Sequence, residues 1–133
     1  MADTAGYSGK PLVVKLGMKP GWRVRAIDPP EHLEGLVSPL PNGAALVDDP
    51  DAELTWLFVR TRAALERQGP DLVGTVGRGA MLWVSWPKKS SALFVDLTED
   101  GVREVMLPTG LVDVKVCAVD QDWSGLKLVR RRA

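Results

Sequence analysis

Two segments, Leu54–Val59 (LTWLFV) and Ala80–Trp86 (AMLWVSW), are almost wholly apolar, and each is bounded by polar or chain-breaking residues. A strand wetted on one side alternates apolar and polar residues, whereas a near-continuous apolar run of this length suits a strand covered on both faces. The two runs therefore predict central strands of a mostly parallel sheet with helices on both sides. The remaining segments have to fit around them.

They do so in alternation. Trp22–Asp28 (WRVRAID) reads as a first strand, with Val24 and Ala26 on one side and Arg23, Arg25 and Ile27 on the other. Pro29-Pro30 ends it, and Glu31–Val37 reads as a short helix with Leu33, Leu36 and Val37 on one face. Pro39, Pro41, Asn42 and Gly43 break the chain before a short strand, Ala44–Val47, and the acidic turn Asp48-Asp49-Pro50-Asp51. After the third strand, a helix is expected over Arg62–Gln68, stopped by Gly69-Pro70, with a further turn or two over Asp71–Val76 before Gly77-Arg78-Gly79. After the fourth strand and the loop Pro87–Asp96, Thr98 caps a helix with Glu99 and Asp100 in its first turn, and Leu97 and Val102 stand where a hydrophobic staple would lie. Pro108 and Gly110 end that helix. Leu111–Val119 and Leu126–Arg130 read as a hairpin-like strand pair joined by Asp120–Gly125. At the start, Met1–Gly9 reads as a flexible arm and Lys10–Gly17 as one or two helical turns, so residues 10–133 are expected to form a single domain.

The order β-α-β-β-α-β-α-β-β predicts an α/β fold: one three-layer, Rossmann-like domain with a mostly parallel sheet and a C-terminal antiparallel strand at one side. The final helix leading into a strand pair resembles the sheet of class I methyltransferases, with one helix missing between the second and third strands. The segments YSGKPLVVKLG, LFVRTRAALE, LWVSWPKKSS, DLTEDGVREV and GLVDVKVCAVDQDWSGLKLVRR also resemble an uncharacterised bacterial family, a domain of unknown function. That resemblance implies a Rossmann-like fold and brings no established activity.

Charge and cysteine usage narrow the partners. Seventeen basic residues balance seventeen acidic ones, so no global field draws the chain to nucleic acid or to a membrane. Neither is expected as a partner, and the Arg130–Arg132 tail reads as a solubilising end. No apolar run approaches a signal peptide or a membrane span, which together with a single cysteine predicts a cytoplasmic protein. Cys117 and His32, one of each kind, exclude zinc sites built from those ligands within one chain. Neither a metal nor a cofactor is expected.

In open parallel sheets, ligands bind beyond the carboxyl ends of the strands. Those ends carry Arg60 and Arg62 after the third strand, and Lys88, Lys89, Ser90 and Ser91 after the fourth. Ammonium groups, hydroxyls and a guanidinium fork suit an anion, so these six are the candidate ligand-binding residues. Asp28, Asp48, Trp86, Asp120, Trp123 and Ser124 complete the edge, the two tryptophans reading as core lids that could also stack on a ring. Pro29 and Pro30 stand where a nucleotide-binding sheet carries a glycine turn, and Asp28 and Glu31 beside them would repel a phosphate or carboxylate. Asp48 lies about twenty residues beyond Asp28, where a ribose-binding acid often lies, and equally reads as a turn former. His32, between Glu31 and Glu34, reads as a surface residue. The sequence therefore predicts a non-catalytic module that binds an anionic small molecule or a partner protein at this edge; the alternative is a divergent S-adenosylmethionine-dependent methyltransferase.

Overall fold

The computed structural model describes residues 11–77 and 79–131. The expected arm Met1–Gly9, as well as Lys10, Arg78 and Arg132, lie outside the described residues. The described chain forms β1 (Arg23–Ile27), β2 (Ala45–Leu46), β3 (Leu54–Phe58), β4 (Met81–Pro87), β5 (Leu111–Ala118) and β6 (Trp123–Arg130), with helices α1 (Leu12–Leu16), α2 (Leu33–Leu36), α3 (Arg62–Leu72) and α4 (Glu99–Met106). The six strands form one sheet in the order β2-β1-β3-β4-β6-β5. β1 pairs parallel with β2 and β3, β3 pairs parallel with β4, and β6 is antiparallel to both β4 and β5.

The two apolar runs are the centre of the sheet. Every residue of β3 and of β4 is buried. On one face, Leu57, Leu82 and Val84 pack under Leu65 and Leu72 of α3 and Val102 and Met106 of α4. On the other, Leu54, Trp56, Phe58 and Trp83 pack under Leu16 of α1 and Leu33 of α2. Each fully buried large side chain contributes on the order of 1.5–3 kcal/mol, which makes these two layers the main source of stability. Two of the buried indoles are satisfied, Trp56 Nε1 donating to Ser85 Oγ at 2.8 Å and Trp83 Nε1 to the Leu16 carbonyl at 3.0 Å, whereas Trp123 Nε1 is buried without a partner among the described residues.

Three expectations are corrected. The helix after β3 does not stop at Gly69-Pro70 but runs to Leu72. Burial of Leu72, two residues beyond Pro70, outweighs the amide that Pro70 lacks, and Pro70 itself faces outward. The antiparallel strand is not at one side of the sheet: β6 lies between β4 and β5. It also begins at Trp123 rather than Leu126, so Trp123 and Ser124 are strand residues.

No helix joins β2 to β3; the chain passes through the acidic turn directly. The β1 side chains on that uncovered side are Arg23 and Arg25, and the register that sets Arg25 beside Thr55 and Ile27 beside Leu57 places them on the α3 face of the sheet. A strand needs apolar residues only where something covers it, and on this open side the arginines meet the carboxylates of Asp48, Asp49 and Glu53 instead. Among the described residues, no helix is long and apolar enough to cross a membrane.

Candidate functional site

Because β5 is antiparallel to β6 and β6 to β4, β5 runs in the same direction as β1, β3 and β4. The carboxyl ends of all four therefore open on one rim. Hydrogen bonds between loops join its parts. Lys88 N donates to the Asp122 carbonyl at 2.7 Å, Ser91 Oγ donates to Asp122 Oδ1 at 2.8 Å, and Arg62 N donates to Asp96 Oδ1 at 3.1 Å. The strand order reverses at β1, which has β2 on one side and β3 on the other. Such a reversal opens a crevice beyond the strand ends, because the flanking connections leave to opposite faces of the sheet. Here α2 packs on one face and α3 on the other. Asp28 and Arg60 end the two strands that border the crevice.

Asp28 adopts a left-handed conformation with φ 54°, and it is the only non-glycine among the described residues with positive φ. Aspartate is one of the few L-residues that tolerate this region, usually at a functional or tightly turning position. The sharp bend expected of glycine is therefore made by Asp28, and Pro29 and Pro30 follow it without supplying amides.

Four residues further on, His32 Nε2 lies 2.8 Å from Asp120 Oδ2. Asp120 Oδ1 in turn accepts from the amides of Asp122 and Trp123, each at 2.8 Å. The carboxylate is thus fixed by backbone donors and orients the imidazole, tying the β1–α2 turn to the β5–β6 turn across the rim. His32 is more than a lone surface residue, and its partner lies 88 positions away, out of reach of any local sequence signal.

The basic sector is assembled in part. Lys89 and Ser90 are exposed in a turn that the Ser91–Asp122 bond pins to the β5–β6 connection. Arg60 is exposed and makes no ion pair among the described residues. Arg62 sits at the first turn of α3, where its guanidinium donates to Glu66 at 3.2 Å and Glu104 at 2.5 Å. Trp86 and Trp123 are 4% and 3% exposed, so both close the core beneath the rim; Trp123 meets the Phe58 ring edge-on at 5.3 Å. Ser124 is half-buried in β6, opposite Trp86.

At the β2 end, the Asp48 carboxylate is 97% exposed, with Arg25 Nε at 3.5 Å. Asp49 and Glu53 hold Arg23 at 2.6 and 2.8 Å, and hydrogen bonding to Arg23 draws the Glu53 carboxyl from 4.5 down to about 2. A cavity of about 430 Å³ lies between α2 and the edge strand β2, lined by Glu34, Val37, Leu40 and Ala44–Leu46.

Neither a family model nor a curated protein matches the chain. Solved structures match it in fold. A SAM-dependent methyltransferase from Aquifex aeolicus superimposes with a TM-score of 0.58 at 11% identity, over 88% of this chain and 86% of that one. The ribosomal protein L11 methylase from Lactobacillus delbrueckii subsp. bulgaricus gives 0.55 at 11% identity over 91% and 76%. The magnesium protoporphyrin IX methyltransferase from Synechocystis PCC 6803 gives 0.54 at 11% identity over 90% and 78%. The fold is that of the methyltransferase-like Rossmann domains.

Proposed function

We propose that this protein is a divergent S-adenosylmethionine-dependent methyltransferase whose cofactor site is the crevice beyond β1 and β3. The observation that carries this reading is the left-handed Asp28 at the strand-order reversal, in a sheet shared with methyltransferases. The proline turn argues against dinucleotides, whose pyrophosphate requires a cradle of amides. It does not argue against S-adenosylmethionine, which has no phosphate. The acids that would repel a phosphate, Asp28 and Glu31, suit a sulfonium and an ammonium group. Asp48 at the β2 end, 97% exposed and only loosely paired with Arg25 at 3.5 Å, can accept from a ribose diol, and the exposed Arg60 at the β3 end can meet a carboxylate.

When bound, the cofactor supplies an electrophilic methyl group. The chain supplies a base: His32, oriented by Asp120, accepts the proton released by the nucleophile of the methyl acceptor. Trp86 and Trp123 keep the floor of the rim dry. Calorimetric titration with S-adenosylmethionine and S-adenosylhomocysteine tests the assignment. Binding in the micromolar range is expected, weakened about tenfold or more in Arg60→Ala and Asp48→Asn, the loss of one charge-assisted contact each. No heat up to millimolar ligand would remove the reading.

The pinned Lys88–Ser91 turn favours a second reading, a non-catalytic module that takes an anionic ligand or partner protein through Arg60, Arg62, Lys88, Lys89, Ser90 and Ser91. Under that reading an acidic peptide shifts the amides of Lys88–Ser91 and S-adenosylmethionine shifts none.

A further inference from the structure

Four lysines from two distant segments of the chain converge on the sheet face that carries α1. Lys115 and Lys127 stand directly opposite each other in the β5–β6 register, and Lys127 is also paired with Trp83 of the α1-side core. Lys115 Nζ donates to the Lys15 carbonyl at 2.9 Å. Lys15 is itself 7% exposed, and among the described residues its ammonium has no hydrogen-bond or ion-pair partner. Lys19 follows α1 with its Nζ 5.6 Å from the centre of the Trp22 ring. At the αL residue that closes α1, a Cβ built on Gly17 would lie 3.9 Å from Lys127 Nζ.

Among the described residues, no carboxylate pairs with this charge. None of the ion pairs among the described residues includes Lys15, Lys19, Lys115 or Lys127. Burial, with Lys115 and Lys19 close by, pulls the Lys127 ammonium below its ordinary pKa. Cys117, on the same strand face, also feels Lys15 and Lys115, although burial raises its thiol. The last carbonyls of α1 account for Lys115 and for little else, since a helix end carries at most about half a charge. Like charges placed directly opposite across two strands destabilise a sheet. Lys15 adds a further ammonium at this surface, its aliphatic stem covered while its head group stays without a partner among the described residues. An arrangement with these costs is understandable when an anion is its normal complement.

We propose that Lys15, Lys19, Lys115 and Lys127 form an anion site, separate from the rim, for a compact phosphoryl group such as a phosphate or pyrophosphate on a small molecule. Ammonium groups converging from a helix end and two strands act as point charges with several donors each, which suits a tetrahedral oxyanion better than a flat carboxylate.

The test is amide NMR of the labelled full chain, titrated with inorganic phosphate, with pyrophosphate, and with chloride at matched ionic strength. Pyrophosphate is expected to give saturable shifts at Lys15–Lys19, Lys115–Cys117 and Lys127, with phosphate weaker at the same amides. Lys127→Gln or Lys115→Gln should weaken pyrophosphate about tenfold, and Arg60→Ala should leave it unchanged. Lys19→Gln, at an exposed position, reads the same effect should the strand variants fail to fold. Equal shifts with chloride would overturn the proposal, as would wild-type affinity in all three lysine variants or shifts confined to Arg60–Ser91. Shifts at these amides with a thymidine oligonucleotide but not with pyrophosphate would overturn it too, making the surface a nucleic-acid contact.

Discussion

Arg23 holds the acidic turn against the open side of β1. Its guanidinium donates to Asp49, to Glu53 and to the Asp51 carbonyl, and its amide donates to Glu53 at 2.7 Å. Glu53 therefore folds with its carboxyl drawn from 4.5 to about 2, and the direction of its pH effect follows. A carboxylate more acidic in the folded state contributes stability that is complete above pH 4.5 and is lost as the pH falls through about 2. The side chain is 34% exposed, so solvent screening keeps the contribution modest. Glu53→Gln should lower the thermal midpoint at pH 7, and its gap from the parent protein should close between pH 4.5 and 2. A gap independent of pH in scanning calorimetry would show that the ion pair contributes nothing. Residue-scale features were the least legible in the sequence. Asp28 could be placed at the end of the first strand, but its left-handed backbone could not, because two prolines after it read as an obstacle to any such turn. The His32–Asp120 pair and the four lysines depend on contacts between distant segments, which no local pattern encodes.

At the scale of elements, α3 and α4 show how close packing overrides a breaker. Gly69 lies inside α3 against α4, and a Cβ there would fall 2.5 Å from Met106 Sδ and 3.0 Å from Leu65 Cδ1. Met106 is fully buried, so it has little room to withdraw. Gly69→Ala gains up to about 1 kcal/mol of helix propensity and loses roughly 1–3 kcal/mol to overpacking. Net destabilisation is the expected outcome in urea unfolding, relieved when Met106→Val is added; a stabilised single variant would contradict this packing. The Thr98 cap was legible, and its hydroxyl accepts from Gly101 N at 3.1 Å. The equivalent cap at Thr61, which accepts from Ala64 N at 3.1 Å, has no acidic first turn to mark it, and the helix beyond Gly69 is hidden in the sequence because the breaker signal of Pro70 precedes the buried Leu72.

For the whole molecule, the two apolar runs were enough to predict a doubly covered, mostly parallel sheet, since only two helical layers can cover them. Strand order was not legible: inserting β6 between β4 and β5 is what turns β5 parallel to the rest and carries Asp120 to the same rim as Asp28. The central claim is that this rim, at the reversal between β1 and β3, holds an adenosyl ligand. It is tested most directly by amide NMR of the full chain titrated with S-adenosylhomocysteine. The account predicts saturable shifts clustered at Asp28, Glu31–Leu33, Val47–Asp49 and Val59–Thr61. An unchanged spectrum at millimolar ligand, or shifts gathered around α1 and Lys127 instead, would contradict it.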